Sequence, residues 1–237
     1  SRSPSSYRTA KVPSAFTVSI SPGKNVAPPP KRASTASPGA NGAAATTCGA
    51  VVATAGAMVV AAAKAGAQVV AVARSELKLK ELINDLPTDV KNNVSYEVAD
   101  MSLQSDTEAL RDRLIGGGAF NVLLNNVGVL FPDLTLTSEG REATFVTNIL
   151  SHYILTEGLV ANDKIVSGGA IINMTSGGMY NMPLGIRKLN VLDATKYNGK
   201  IVYAAQKRGQ VVLTGYWNAK YKDLGIQSYV MHPGWTK

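Results

Sequence analysis

The segment Gly169-Ala-Ile-Ile-Asn-Met-Thr-Ser176 reads as a buried parallel strand that delivers a hydroxyl at its C-terminal end, where open α/β sheets place their ligands. A second apolar run, residues 121–124, leads into Asn125-Asn126-Val127-Gly128, and a third, residues 226–231, leads into His232-Pro233-Gly234-Trp235. From residue 57 onward, helix-period and strand-like runs alternate, as a doubly wound parallel sheet requires. Further strands are expected over residues 68–73 and 94–99. Helices are expected over residues 57–65, from Ser75 to a stop at Pro87, and from Ser102 or a capping box at Ser105-x-x-Glu108. Two more are expected, one from about Ser138 and one around residues 203–224. The fold class is α/β, a single domain over residues 47–237.

Tyr203-Ala-Ala-Gln-Lys207 places a phenol and an ammonium four residues apart, so that both occupy one helical face. A tyrosine exchanges protons near neutral pH only if its anion is stabilised, and a fixed cation does that. Alone, the pair is better matched by a half-buried surface tyrosine. Its company is Asn148 in a periodic helical stretch, Ser176 at a strand end, the turn Asn125 to Gly128, and Pro233-Gly234. In this order the segments resemble the short-chain dehydrogenase/reductase family, whose marks are an Asn-Asn-Ala-Gly turn, an asparagine, a serine, Tyr-x-x-x-Lys and a Pro-Gly turn. The resemblance covers roughly residues 66–235.

The resemblance implies a Rossmann-like fold and a hydride exchange between a nicotinamide cofactor and a carbonyl or alcohol of lipid-like size. Tyr203 would be the general acid or base, Lys207 would lower its pKa, and Ser176 would polarise the substrate oxygen. Asn148 would hold the water that links the lysine to solvent. Asn125 would bond across strands, and Gly128 would let the backbone pass close to the nicotinamide ribose. Pro233 and Gly234 belong to the family's Pro-Gly turn. Asp100 matches an adenine-contacting aspartate and equally suits a turn or helix N-cap. Arg74 stands at the end of the second strand where NAD-binding chains carry an acid. An arginine there can meet a 2′-phosphate, so NADP is expected over NAD.

Two stretches depart from the family pattern. The glycine loop that brings backbone amides to the pyrophosphate reads here Cys48-Gly49-Ala50-Val51-Val52-Ala53-Thr54-Ala55-Gly56. Gly49 falls on the first glycine, but Ala53 and Ala55 replace the others and Gly56 comes one position late. The preceding residues 43–47 lack Val, Ile and Leu and make a poor first strand. The chain also stops at Lys237, where the family continues with a substrate-covering helical segment and another strand. Either the polypeptide is cut, only a portion is described, or part of the substrate pocket is lost. Ser176 and Tyr203 lie twenty-seven residues apart, and the extra residues, including Leu189-Asn190, border the substrate pocket or form a surface loop.

Composition narrows the partners. Among 237 residues the formal net charge is +8, yet no acid precedes Glu76. Eight of the 24 basic residues lie in residues 1–75, so the remainder of the chain balances its sixteen acids. A phosphate-backbone surface is not supported, and no nucleic-acid partner is expected. Residues 1–46 are basic, free of acids and rich in Ser, Ala and Pro, as organelle transit peptides are, with Pro and Ser leaning toward a plastid over a mitochondrion. A retained or unrelated extension reads the same way. The single Cys48 excludes an internal disulfide, no zinc ligand set is present, and Lys64 interrupts the one stretch that resembles a membrane span. Of the two histidines, His152 is expected to be solvent-facing or hydrogen-bonded, and His232 to support its turn. Family members often pair through the tyrosine helix, so a homodimer is one expected state. Two functions follow. One is an NADP(H)-dependent reductase or dehydrogenase. The other is a degenerate structural subunit of an organellar assembly, held through residues 1–46.

Overall fold

Six strands, all pairing in parallel, form one sheet in the order β3-β2-β1-β4-β5-β6. The structure, a computed structural model, describes residues 49–53 and 56–232. Residues 1–46, Cys48, Thr54, Ala55, Pro233 and Gly234 lie outside them, together with what the sequence suggested for each. The strands are β1 (Gly49–Ala53), β2 (Gln68–Ala73), β3 (Val94–Val98), β4 (Phe120–Asn125), β5 (Ile165–Met174) and β6 (Gln227–Met231). The helices are α1 (Gly56–Lys64), α2 (Glu76–Asn84), α3 (Thr88–Lys91), α4 (Gln104–Gly116), α5 (Ala143–Phe145), α6 (Ser151–Ala161) and α7 (Gly199–Lys220). This is the doubly wound, Rossmann-like sheet that the alternating pattern predicts. The strand order reverses between β1 and β4, which opens a crevice at their C-terminal ends.

Period-2 alternation sorts the side chains of the central strands onto two faces. On one face Val69, Ala71, Leu124 and Met174 pack with Val59 and Ala63 of α1, Leu79 of α2 and Val90 of α3. On the other, Val72, Leu123 and Ile171 pack with Leu110 of α4, Leu155 and Leu159 of α6, and Trp217 of α7. Leu110, Leu123, Leu155, Leu159 and Ile171 have no exposed surface. Each such side chain contributes about 1.5–3 kcal/mol of burial.

Several boundaries differ from the sequence reading. Gly49 opens β1, pairing opposite Gln68, so it sits at the edge away from the crevice and not in the phosphate turn. The first strand is thus residues 49–53, and only Thr54 and Ala55 separate it from α1, which begins at Gly56. Strand β5 starts at Ile165, four residues before Gly169, because Gly168 at φ 80° lets the chain absorb an irregularity opposite residues 120–122. No capping box forms at Ser105. The Glu139 carboxylate, from a distant loop, accepts from the Gln104 and Ser105 amides at 2.7 and 3.0 Å and takes over the capping of α4. The helix expected from Ser138 begins at Ala143, with Glu142 as its N-cap.

Helix α7 starts where Asn198 accepts from the Ile201 amide at 3.2 Å. The next residue, Gly199, packs so tightly that an added Cβ would lie 1.9 Å from the Phe131 carbonyl oxygen. That neighbour is backbone and cannot rotate aside. Gly199→Ala is expected to destabilise the chain by about 2–3 kcal/mol, read as a lower urea midpoint. An unchanged midpoint would show that the 131–132 turn yields freely.

Candidate functional site

Three elements converge on the tyrosine helix. At the end of β5, Thr175, the residue after the strand, donates its hydroxyl to the Lys207 carbonyl at 2.8 Å, and the Met174 carbonyl accepts from Lys207 Nζ at 2.9 Å. The strand end and α7 are thereby locked together. Ser176 follows as the N-cap residue of a 3-10 turn, Gly177–Asn181, but makes no capping bond with its side chain. Its hydroxyl lies beside the Tyr203 phenol and acts to lower its pKa. Lys207 Nζ lies 5.5 Å from the centroid of the Tyr203 ring. Tyr203, Ser176 and Lys207 therefore meet as one cluster at the C-terminal edge of the sheet.

Asn148 reaches the same place by an irregularity. Between α5 and α6 the helix widens into a π-helical segment, Val146–Leu150, with Asn148 at its centre. Such widening occurs often at functional sites because it re-aims one side chain. Asn148 is fully buried. Its Nδ2 donates to the Val129 carbonyl and to Gln206 Oε1, both at 2.9 Å, and its Oδ1 accepts from the Val129 amide at 2.9 Å. The side chain thus holds the turn after β4 against α7. Its backbone carbonyl accepts from Gln210 Nε2 at 2.8 Å.

Gly128 lies in that turn at close quarters: a Cβ would be 3.0 Å from Lys207 Nζ and 3.3 Å from Asn148 Oδ1, so both side chains would have to give way. Asn125 is fully buried and donates to Asn173 Oδ1 at 2.9 Å and to the Thr156 hydroxyl at 3.1 Å, a cross-strand and strand-to-helix tie. Asp100, after β3, accepts from the Ser102 amide and hydroxyl at 2.9 and 2.7 Å, the geometry of a turn residue. Arg74 is exposed just beyond β2. Among the described residues its guanidinium has no acidic partner. Gly56 opens α1 beside the crevice.

Burial sets the electrostatics. Lys207 is 3% exposed, and loss of water lowers its amine from 10.5 to about 7. Burial raises the Tyr203 phenol, and the Ser176 hydroxyl, the lesser influence, opposes it. The lowering by Lys207 that the resemblance implies is not among these influences. His152 is buried, not solvent-facing. Its Nδ1 meets Gln210 Nε2 at 3.2 Å, and desolvation, with the Lys207 charge adding to it, holds its pKa at about 3. Two residues with no signal in the sequence join the site: Glu142 and Gln206, both without exposed surface. A glutamate is an uncommon N-cap, and Gln206 sits unremarked between Tyr203 and Lys207.

Among the described residues, no group of three His, Cys, Asp or Glu is placed to hold a metal, and no helix is long and apolar enough to cross a membrane.

A pH effect follows from Lys207. Its folded pKa lies below its unfolded value, so between about 7 and 10.5 the unfolded chain binds the extra proton. Stability from this group is present above 10.5 and is lost as pH falls through about 7. Lys207→Met is expected to exceed the wild type in stability by about 4 kcal/mol at neutral pH and to lose that advantage towards pH 10. Urea midpoints across this range measure it, and a pH-independent difference would mean the amine is not held in the interior.

Residues 44–186 match the family described as short chain dehydrogenase. Dehydrogenase/reductase SDR family member 12 from Bos taurus is 34% identical over 148 residues, 61% of this chain and 44% of that protein. Short-chain dehydrogenase TIC 32 A, chloroplastic, from Brassica napus is 30% identical over 124 residues, 48% of this chain and 38% of that one. The chain thus spans less than half the length of these relatives. Among solved structures, an NADPH-bound carbonyl reductase from chicken fatty liver superposes with a TM-score of 0.59 over 81% of both chains, at 19% identity, which shows the shared fold. Sheet order, matched span and similarity to the cattle protein agree, and the chain belongs to the short chain dehydrogenase family.

Proposed function

We propose that this chain is an NADP(H)-dependent oxidoreductase that interconverts a carbonyl and an alcohol, with Tyr203 as acid and base. The observation that carries the reading is the buried Lys207 amine 5.5 Å from the centroid of the Tyr203 ring, with the Ser176 hydroxyl beside the phenol. Bound nicotinamide would supply or accept the hydride. Gly56, Gly128 and Arg74 would hold the cofactor, Arg74 through the 2′-phosphate, together with Tyr203, Lys207, Asn125 and, outside the described residues, Pro233 and Gly234. Asp100 would reach the adenine only with the lone pairs that Ser102 leaves free.

In reduction, Ser176 donates a hydrogen bond to the substrate oxygen and draws charge onto it. Tyr203, which burial keeps protonated, passes its proton to that oxygen. Lys207 steadies the phenolate left behind, and the charge it then faces draws its own proton more tightly. Asn148 keeps the turn after β4, and so Gly128, close to Lys207; a water on Asn148 would use the capacity that Val129 and Gln210 leave. The segment between Ser176 and Tyr203 exposes Tyr180, Leu184, Ile186 and Leu192, which suits an apolar substrate of lipid-like size. Similarity to the chloroplastic relatives, with the basic residues 1–46, supports a plastid location.

Ala53 and Ala55, where the family has glycines, favour a second reading, a catalytically degenerate subunit of an organellar assembly. Turnover separates the two. Purified chain given NADPH and a panel of apolar aldehydes and ketones should oxidise the cofactor, and Tyr203→Phe should lower kcat by about 100-fold or more. Arg74→Gln should weaken NADPH about tenfold while sparing NADH. Turnover that survives in Tyr203→Phe would remove the phenol from the mechanism, and none in the wild type would favour the subunit.

A further inference from the structure

We propose that Glu142 is a positioning residue, which acts through Gln206 to set the amide of Asn148 and to tie residues 182–198 to the tyrosine helix. Its effect on turnover rests on the oxidoreductase reading above.

As the N-cap of α5, Glu142 needs only to receive the Thr144 and Phe145 amides, which it does at 2.8 and 2.6 Å. Serine or aspartate caps a helix in that way. Glu142 does more, because its longer side chain also accepts from Tyr197 OH at 3.2 Å and from Gln206 Nε2 at 3.1 Å. Those two donors come from parts of the chain more than fifty residues away. Four donors satisfy one buried carboxylate, the condition under which a charge is tolerated in the interior. The Tyr197 hydroxyl also meets the Thr144 hydroxyl at 3.1 Å; having given its proton to Glu142, it accepts there.

The carboxylate fixes a polarity that passes along two amides. An ionised carboxylate only accepts, so Gln206 must turn its NH2 group towards Glu142. The other proton of that group goes to the Leu189 carbonyl at 2.9 Å, again an acceptor only. Gln206 Oε1 is left facing Asn148, which answers with Nδ2 at 2.9 Å. Asn148 Oδ1 then points to the Val129 amide. A flipped Asn148 would set donor against donor at Val129 N and acceptor against acceptor at Gln206. The carbonyl end of Asn148, placed in this way, lies beside Gly128 and close to the Lys207 amine. The same bonds seize the inserted segment twice, through the Leu189 carbonyl and through Tyr197. That segment also carries the exposed Leu184, Ile186 and Leu192. One buried charge thus sets both the polar end of the site and the position of the apolar wall beside it.

Two variants test this. Glu142→Gln keeps size but can donate as well as accept, so the polarity is released; Gln206→Met keeps length and removes all three of its side-chain bonds. The first readout is trypsin cleavage at Arg187, Lys188 and Lys196 without cofactor or substrate. Both variants should be cut about fivefold faster than wild type while still melting cooperatively. The second is kinetic: kcat should fall by about tenfold or more, with KM for NADPH changed by less than about twofold. Cleavage of both variants at the wild-type rate overturns the tie. Faster cleavage with unchanged kcat, or equal losses in kcat and NADPH binding, overturns the positioning role. Should Glu142→Gln fail to fold, Gln206→Met decides both points, since it leaves the α5 cap in place. A wild type without turnover sinks the oxidoreductase reading and the kinetic half with it, while cleavage rates alone still decide whether Glu142 holds the segment.

Discussion

The register between β4 and β5, with Asn125 opposite Asn173, is the constraint on which the site depends. In a parallel pair a slip of one residue would send Leu123 and Ile171 to the wrong face. The Asn125 to Asn173 bond, buried at 2.9 Å, adds a polar requirement to that apolar one. Once the register is set, the turn after Asn125 and the residues after Met174 leave the sheet side by side. Gly128 and Ser176 are brought to α7 by those two exits.

Helix α7 is held there by groups that cannot be satisfied elsewhere. Lys207 has left water and its amine finds the Met174 carbonyl; Thr175 finds the Lys207 carbonyl. Around them Asn148, Gln206, Gln210 and Glu142 form a polar seam between residues 142–150 and α7 in an otherwise apolar layer. An apolar seam of equal volume would be no less stable. What the polar seam supplies is direction, since each donor has one acceptor that fits. The wide turn at Val146–Leu150 belongs to the same economy of direction, because it turns Asn148 inward to meet Val129.

Much of the fold was legible because its signals are local or periodic. The alternating runs gave a doubly wound sheet, and β2 was readable to the residue from its Val and Ala content. Boundaries failed where long-range partners decide them. Nothing near Ser105 discloses that Glu139 caps α4, and the Ser167-Gly168-Gly169 break hid the first half of β5. The glycine pattern puts Gly49 in a turn; pairing opposite Gln68 of β2 makes it strand instead. At the site, Tyr203, Lys207, Ser176 and Asn148 could be singled out by spacing and by resemblance. Glu142 and Gln206 could not, because their importance lies in the partners that folding brings to them.

The proposed reaction requires that this chain, despite Ala53 and Ala55, present a working cofactor crevice to Tyr203. The deciding experiment is titration of the purified chain with NADPH, followed by nicotinamide fluorescence with NADH as comparison. Saturable binding at micromolar concentration with a preference for NADPH is expected. Absence of binding at millimolar concentration would exclude the crevice as a cofactor site.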